Sequence, residues 1–416
     1  MNLKINFLKI NFLRLVMTGT LLIVFFHKVL SGVLNTKIFN VVDEVFILLV
    51  LILLIIHGLY TKTIEVIFLS TLLIVLYFII ISVLFGKQSD VFMVIMQSVI
   101  HLKFFIFLSF FYLIINKLKI INGITILKYF LIISLLGLLL EVIFHNTFYN
   151  FMNIDFNLRP YAKRDKVVYG GFIKTNVLSF LLIVYFTLKA FLDKTFSGKK
   201  FFTWLILLLF FFILVRSRTP ILVLLGLVFL KYRTKIFKFR VMTSFVMVFV
   251  AALFFIKTQT ILIEKTTTNI SLMFTKDSHY IRGIMYFLSG QIFVDYFPIG
   301  TGAATFGTVL SENSITYSIY NVSRRSFFIN MDGVYDSNMA SIIGEFGFIG
   351  VIIFVCLFSL LFLKNSKKGK VTTALIAMLF ITFIYCFVSP LFMNTFFSMV
   401  LALGFSVLYF YKDEFV

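Results

Sequence analysis

Charge is scarce in this 416-residue chain: charged residues make up 13% of it, against 61% hydrophobic ones. A water-soluble domain needs roughly a quarter of its residues charged to cover its surface, so a soluble fold is excluded. Cysteine is scarcer still. The two present, Cys356 and Cys386, both fall inside apolar runs, which makes them packing residues rather than ligands or a disulfide, and no Cys-x-x-Cys spacing exists. Low-complexity tracts, internal repeats and a separable polar domain are also missing. Acidic residues number 17 against 38 Lys and Arg, a net charge of +21. No basic block stands in a domain of its own, so nucleic acid is not expected as a partner. The excess belongs to loops facing the cytoplasm and anionic membrane lipid.

What the chain has in abundance is apolar sequence, with a mean hydropathy of +1.06 and 58 Phe. Runs of about 20 apolar residues recur, each able to cross a hydrocarbon core ~30 Å thick. Predicted spans are 15–34, 41–60, 64–85, 91–116, 124–144, 173–192, 201–215, 219–230, 241–256, 337–363, 371–388 and 391–411. The fold class is therefore all-α: a polytopic membrane protein with about twelve transmembrane helices, residues 1–416 forming one integral membrane domain. The basic start, Met1 to Arg14, runs into an apolar stretch without a small-residue cleavage site and reads as an uncleaved first helix. An even number of spans puts both termini on one side. If that side is the cytoplasm, the inside segments hold nineteen Lys and Arg and the short outside ones fewer than half as many, which fixes both ends inside. The segment 257–336 then becomes a long extracytoplasmic loop carrying short helices.

Three outside segments depart from an ordinary bundle. The first, 145–172, gathers Arg159, Tyr161, Lys163, Arg164 and Lys166, able to hold an anionic glycan or lipid headgroups. The second is the turn Arg216-Ser217-Arg218-Thr219-Pro220, joining spans of only 15 and 12 residues. Those rise about 22 and 18 Å, which leaves the arginines within the outer half of the membrane unless the helices run longer. The third, the long loop, has a helical pattern over 279–296 that sets Arg282, Tyr286 and Ser289 on one face of a surface helix. A Pro/Gly-punctuated turn, Phe297 to Gly307, follows it. Within the spans, Lys103 and His101 lie midway along the fourth, where charge is costly; Lys103 is expected in a polar interior, with Glu141 as the acidic residue available. Glu345 reads either as a partner of an arginine or as a polar residue at the interface.

Four stretches, in order, resemble the O-antigen ligase and Wzy-type polysaccharide polymerase superfamily. Gly171-Phe-Ile-Lys-Thr-Asn176 resembles its G-x-F-x-x-P-N segment, with Thr175 in place of Pro. The Arg216-to-Pro220 turn resembles S-x-x-R-T/G. Arg282 followed by Phe297-Pro-Ile-Gly-Thr-Gly302 resembles R…P-x-x-G-x-G. Asp336-Ser-Asn338 with Gly344-Glu345-Phe-Gly-Phe-Ile-Gly350 resembles H/D-x-x…E-x-G-x-x-G. Asp336 stands where ligases carry His, which favours a polymerase. The resemblance implies transfer of a growing glycan from undecaprenyl diphosphate to a lipid-linked repeat unit at the outer face of the bacterial cytoplasmic membrane, for capsule, exopolysaccharide or O-antigen. It implies no metal, cofactor or nucleotide sugar. The partners it implies are the undecaprenyl-diphosphate-linked oligosaccharide, membrane lipid, and a chain-length regulator and flippase of the same pathway. Guanidinium groups suit such a donor because their planar fork binds phosphate oxygens and stays charged. Arg216 and Arg282 are the expected catalytic cations, with Asp336 orienting or deprotonating the acceptor hydroxyl. Arg218, Arg164, Glu345, Asn338 and Tyr286 are expected around the substrate. The simpler reading of Asp336 is a helix N-cap. A ligase, or a flippase or transporter of lipid-linked oligosaccharide, is the alternative.

Overall fold

The computed structural model describes residues 2–36, 41–63, 65–152, 171–193, 195–196, 198–215, 217–233, 268, 271, 280–331, 333–365 and 369–409. Among these, every long element is a helix and no strand occurs. In chain order they are α1 (Asn2–Phe25), α2 (His27–Val33), α3 (Val42–Thr61), α4 (Val66–Phe85), α5 (Val91–His101), α6 (Lys103–Tyr112, continued by a π-turn), α7 (Gly123–Ile143), α8 (His145–Phe151), α9 (Thr175–Leu192), α10 (Gly198–Leu214) and α11 (Arg218–Tyr232). After the segment 234–279 come α12 (Ile281–Asp295), the short α13 (Ile315–Ile319) and α14 (Ser326–Ile329), then α15 (Asn338–Asn365), α16 (Gly369–Val388) and α17 (Thr395–Tyr409).

Six helices are long and apolar enough to cross a membrane, and eight if two sharply bent pairs each count as one span. The chain is a membrane protein of that kind. Eight of the twelve expected spans fall on these helices and bent pairs, three more (201–215, 219–230 and 391–411) on helices of 17, 15 and 15 residues, and 241–256 lies outside the described residues. The helices flanking the Arg216–Pro220 turn are longer than the apolar runs suggested, 17 and 15 residues, because Lys199 and Lys200 at one foot and Lys231 and Tyr232 at the other continue the helical ladder.

Burial separates a core from a lipid-facing rim. In α9, 78% of the spanning window is buried, whereas α3, α4 and α7 bury only 33%, 28% and 39%. Their outward Leu, Ile and Val are what hydrocarbon accepts without cost. Much of the Phe goes inward: Phe104, Phe105, Phe107, Phe110 and Phe111 make α6 an almost wholly buried strut packed on α17, while others such as Phe92, Phe210 and Phe383 face outward.

Both bent pairs break without Pro or Gly at the bend. α1 and α2 meet at Phe26 with a 69° bend, and α5 and α6 at Leu102 with one of 53°. Each break is followed at once by a buried ionisable residue, His27 and Lys103.

A third break shapes the candidate site. Inside α15, Gly347 adopts φ 57°, ψ −146°, open only to glycine. The loop Pro298–Gly302 inserts there. Ile349 N donates to Pro298 O (3.2 Å) rather than to its own helix, while the freed carbonyls of Gly344 and Glu345 accept from Thr301 N (3.0 Å) and Gly302 N (2.8 Å). Irregular backbone here is tolerable because these freed groups find partners within the protein. The loop is also tied to the end of α4, where Ala303 N donates to Ser82 Oγ (2.8 Å). Above it, α12 packs on α15 and shares a small second core of Ile284, Met285, Leu288, Ile292, Phe306, Tyr317 and Phe328. The described residues of 280–337 therefore form a cap over one end of the bundle.

Candidate functional site

The surface helix predicted over 279–296 is α12, and its polar face looks at the start of α15. Arg282 Nη2 donates to Asp336 Oδ2 at 3.0 Å, with about a third of each side chain exposed (33% and 37%). Burial opposes the guanidinium charge, but Asp336 and Tyr280 outweigh it and hold Arg282 above its ordinary value. One turn along, the Tyr286 hydroxyl donates to Phe387 O (2.8 Å) and meets Ser337 Oγ (2.6 Å). Since its proton goes to the carbonyl, Ser337 supplies the proton of that second bond. Burial pushes Tyr286 above the usual phenol value, so it stays a neutral donor. Ser289, the third residue of the stripe, is buried and donates to Tyr286 O (2.9 Å).

Ser337 also accepts from Ala340 N (3.2 Å), so the N-cap of α15 is Ser337 rather than Asp336. The capping role that sequence allowed Asp336 is filled by its neighbour. Its Oδ2 faces Arg282 instead, and the site opens at Asp336.

Glu345 lies two turns deeper on α15 and is fully buried. Its Oε1 accepts from Thr305 N (2.9 Å), Phe306 N (3.2 Å) and Thr308 Oγ1 (3.3 Å), and its Oε2 faces His101 Nε2 at 2.6 Å. The arginine partner allowed for it in sequence is replaced by His101, because the kink at Gly347 turns this face of α15 towards α5 and the inserted loop. A Gly-rich turn can cradle a phosphate with its amides; here two of those amides already hold a carboxylate of the same chain. Asn338 is likewise engaged inward: Oδ1 accepts from Phe392 N (2.8 Å) and its backbone N–H donates to Ser389 O (3.3 Å).

Arg218 opens α11 and is exposed. Lys231, at the other end of α11, reaches Ala190 O in the last turn of α9, so the two helices run parallel. Phe180, near the start of α9, packs on Tyr385 (4.7 Å between ring centroids), two residues before the Phe387 that Tyr286 grips. Arg218 thus shares the cap end of the bundle with Arg282 and Asp336. Arg216, Arg164, Arg159, Tyr161, Lys163 and Lys166 lie outside the described residues.

Lys103 is in a polar interior, but its partner is not Glu141. Its Nζ donates to Thr395 Oγ1 (3.0 Å) and lies 3.5 Å from Asp43 Oδ2, which also accepts from the Thr395 hydroxyl. Glu141 is held elsewhere: Gly171, in a left-handed conformation against Gly137 and Leu138, donates its amide to Glu141 Oε2 at 2.7 Å. Sequence reading missed Asp43, Thr395 and His27. A signal existed, since Asp43-Glu44 and His27-Lys28 sit at the ends of apolar runs.

The two groups of residues are linked through the segment joining α16 to α17. Asn338, two residues from Asp336, holds Phe392; three residues on, Thr395 holds Asp43 and Lys103. Among the described residues, no group of three or more His, Cys, Asp or Glu could hold a metal ion. Chemically, the partly exposed cap-end pair combines a permanent cation with a carboxylate that has one oxygen beyond its ion pair. No protein-family model matches the chain, and no curated protein matches it.

Proposed function

We propose that the chain is a polysaccharide polymerase that moves a growing glycan from undecaprenyl diphosphate to a lipid-linked repeat unit at the outer face of the cytoplasmic membrane. The reading includes twelve crossings with both termini inside, which turns the cap outward. The observation that carries it is the Arg282–Asp336 pair at 3.0 Å, each side chain about a third exposed, where α12 meets the first turn of α15 at one end of an apolar bundle. It is supported by the docking of two stretches that resemble the superfamily: Pro298-Ile-Gly-Thr-Gly302 inserts at the Gly347 break of Gly344-Glu-Phe-Gly-Phe-Ile-Gly350.

In this reading the acceptor hydroxyl attacks the anomeric carbon and gives its proton to Asp336. The bond from that carbon to the diphosphate oxygen breaks, and its electron pair leaves on the diphosphate. Arg282 stabilises the charge that develops there, and Arg218, at the same end of the bundle, is a further cation for the diphosphate. Preorganised cations at such a point are worth ~100-fold or more in rate. The test is polymerisation by the purified chain from lipid-linked repeat units. Arg282→Ala and Asp336→Asn should each lower polymer formation by about 100-fold or more while the protein stays in the membrane. Normal polymer from either variant removes that residue from the site.

One observation favours a second reading, a flippase or transporter of lipid-linked oligosaccharide. Broken helices that meet on buried ionisable groups are a transporter device, and α1/α2 and α5/α6 bend by 69° and 53° beside His27 and Lys103. A deletion strain separates the possibilities. Accumulated single repeat units indicate the polymerase, unlinked long polymer a ligase, and loss of lipid-linked units from the outer leaflet a flippase.

A further inference from the structure

The junction of the two bent pairs holds a histidine whose protonation the hydrogen bonds define. His27 is 1% exposed. Its Nδ1 lies 2.7 Å from Val24 O. A carbonyl only accepts, so Nδ1 carries the proton, and in the neutral ring Nε2 is a bare lone pair. That Nε2 is buried and has no hydrogen-bond partner, yet it faces Asp43 Oδ1 at 3.8 Å. The other carboxylate oxygen, Oδ2, is held by Thr395 and Lys103. A buried lone pair on Nε2 therefore confronts a carboxylate oxygen whose side chain is 11% exposed, an arrangement that costs free energy until a donor comes between them.

The groups around the imidazole are few. On α2 there is Lys28, exposed; on α3, Asp43 and the half-buried Glu44; on α6, Lys103; and on α17 the uncharged Thr395 and Phe396, whose ring stacks on His27 at 5.4 Å. The formal charges of Lys28 and Lys103 offset those of Asp43 and Glu44. Asp43 also shares a side-chain hydrogen bond with Glu44, so the protons of the junction are held by the imidazole together with this carboxyl pair. His27 is also the first residue after the 69° bend, so α2 is a short lever with His27 at its fulcrum.

We infer that His27 and Asp43 form a proton-binding site in the membrane-embedded part of the chain, the proton being taken up on His27 Nε2 and held against Asp43 Oδ1. The added proton turns two opposed lone pairs into a charge-assisted N–H···O bond, whose normal length of about 2.8 Å draws α2 towards α3. An intramembrane ionisable group with a matched partner is a functional site more often than packing, and histidine is the side chain suited to take up a proton near neutral pH. This site is independent of the glycan-transfer reading and would stand if that reading fell.

The test is imidazole nitrogen NMR on the full chain, ¹⁵N-labelled at histidine and held in lipid nanodiscs, across roughly pH 5 to 8. His27 is identified among the five histidines by the resonance lost in His27→Phe. At the alkaline end it should be neutral with the proton on Nδ1, and towards the acid end doubly protonated. Asp43→Asn should cut the doubly protonated fraction at a given pH by about tenfold, the factor for ~1.4 kcal/mol of lost interaction. Lys103→Met, which removes a competing cation, should raise it, so the two variants move the signal in opposite directions. A wild-type proton on Nε2 at the alkaline end, a ring that never takes up the second proton, or a titration unmoved by whichever variant folds would overturn the site.

Discussion

At the residue scale, most depends on Glu345. Its carboxylate gathers two backbone amides, a threonine hydroxyl and a histidine at a point with no solvent, and so fixes the inserted loop on α15. Glu345→Ala leaves those donors unsatisfied together and should cost about 3 kcal/mol or more. Glu345→Gln keeps an acceptor for Thr305 and Phe306, and its amide can donate to His101 Nε2 once the ring shifts its proton to Nδ1. That nitrogen has no partner, so the glutamine variant should lose only about 1 kcal/mol. Thermal unfolding in detergent checks the order, and equal losses would mean that the carboxylate does not clamp the loop. Much of this chemistry was legible as residue types: Arg282 and Asp336 were expected together, and the structure pairs them. The partners of the buried charges were not. Lys103 meets Asp43 and Thr395, far off in sequence, because no local pattern records which helices a bent span will touch.

At the element scale, the periodicity of 279–296 and the apolar runs gave helices that the structure contains, while all three breaks went unseen. Two have neither Pro nor Gly at the bend, so nothing local marked Phe26 or Leu102. The third was visible as a glycine within a motif, but its reason is the arriving loop. A Cβ on Gly347 would lie 2.5 Å from Pro298 O and 2.7 Å from Gly300 N, at a backbone angle that side chains avoid. Gly347→Ala should therefore cost at least about 2 kcal/mol and loosen the 297–308 loop to proteases. Gly290, in the middle of α12, is exposed with nothing within 4 Å of such an atom. Gly290→Ala should instead add about 0.5–1 kcal/mol. Unfolding midpoints of the two variants must move in opposite directions; a neutral Gly347→Ala would mean that α15 can close its own ladder without the loop.

For the whole molecule, what matters is which way the cap faces, since the proposed glycan transfer takes place at the outer face. The cap end carries Arg282, Asp336 and Arg218, and the far ends of α9 and α11 carry Lys189 and Lys231. The excess of Lys and Arg on segments at that far end predicts that it faces the cytoplasm. The native cysteines suit a labelling test: Cys386 is buried, and Cys356 is exposed only on the apolar flank of α15, where an impermeant maleimide does not reach. In a background with both replaced by Ser, Gly290→Cys should react with that reagent in intact cells. Lys200→Cys, at the foot of α10, should react only after the membrane is opened. The reverse pattern would turn the molecule over and leave the Arg282–Asp336 pair facing the cytoplasm. Glycan transfer at the outer face would then lose its basis, whereas the His27–Asp43 site, enclosed by helices from either side, would keep its own.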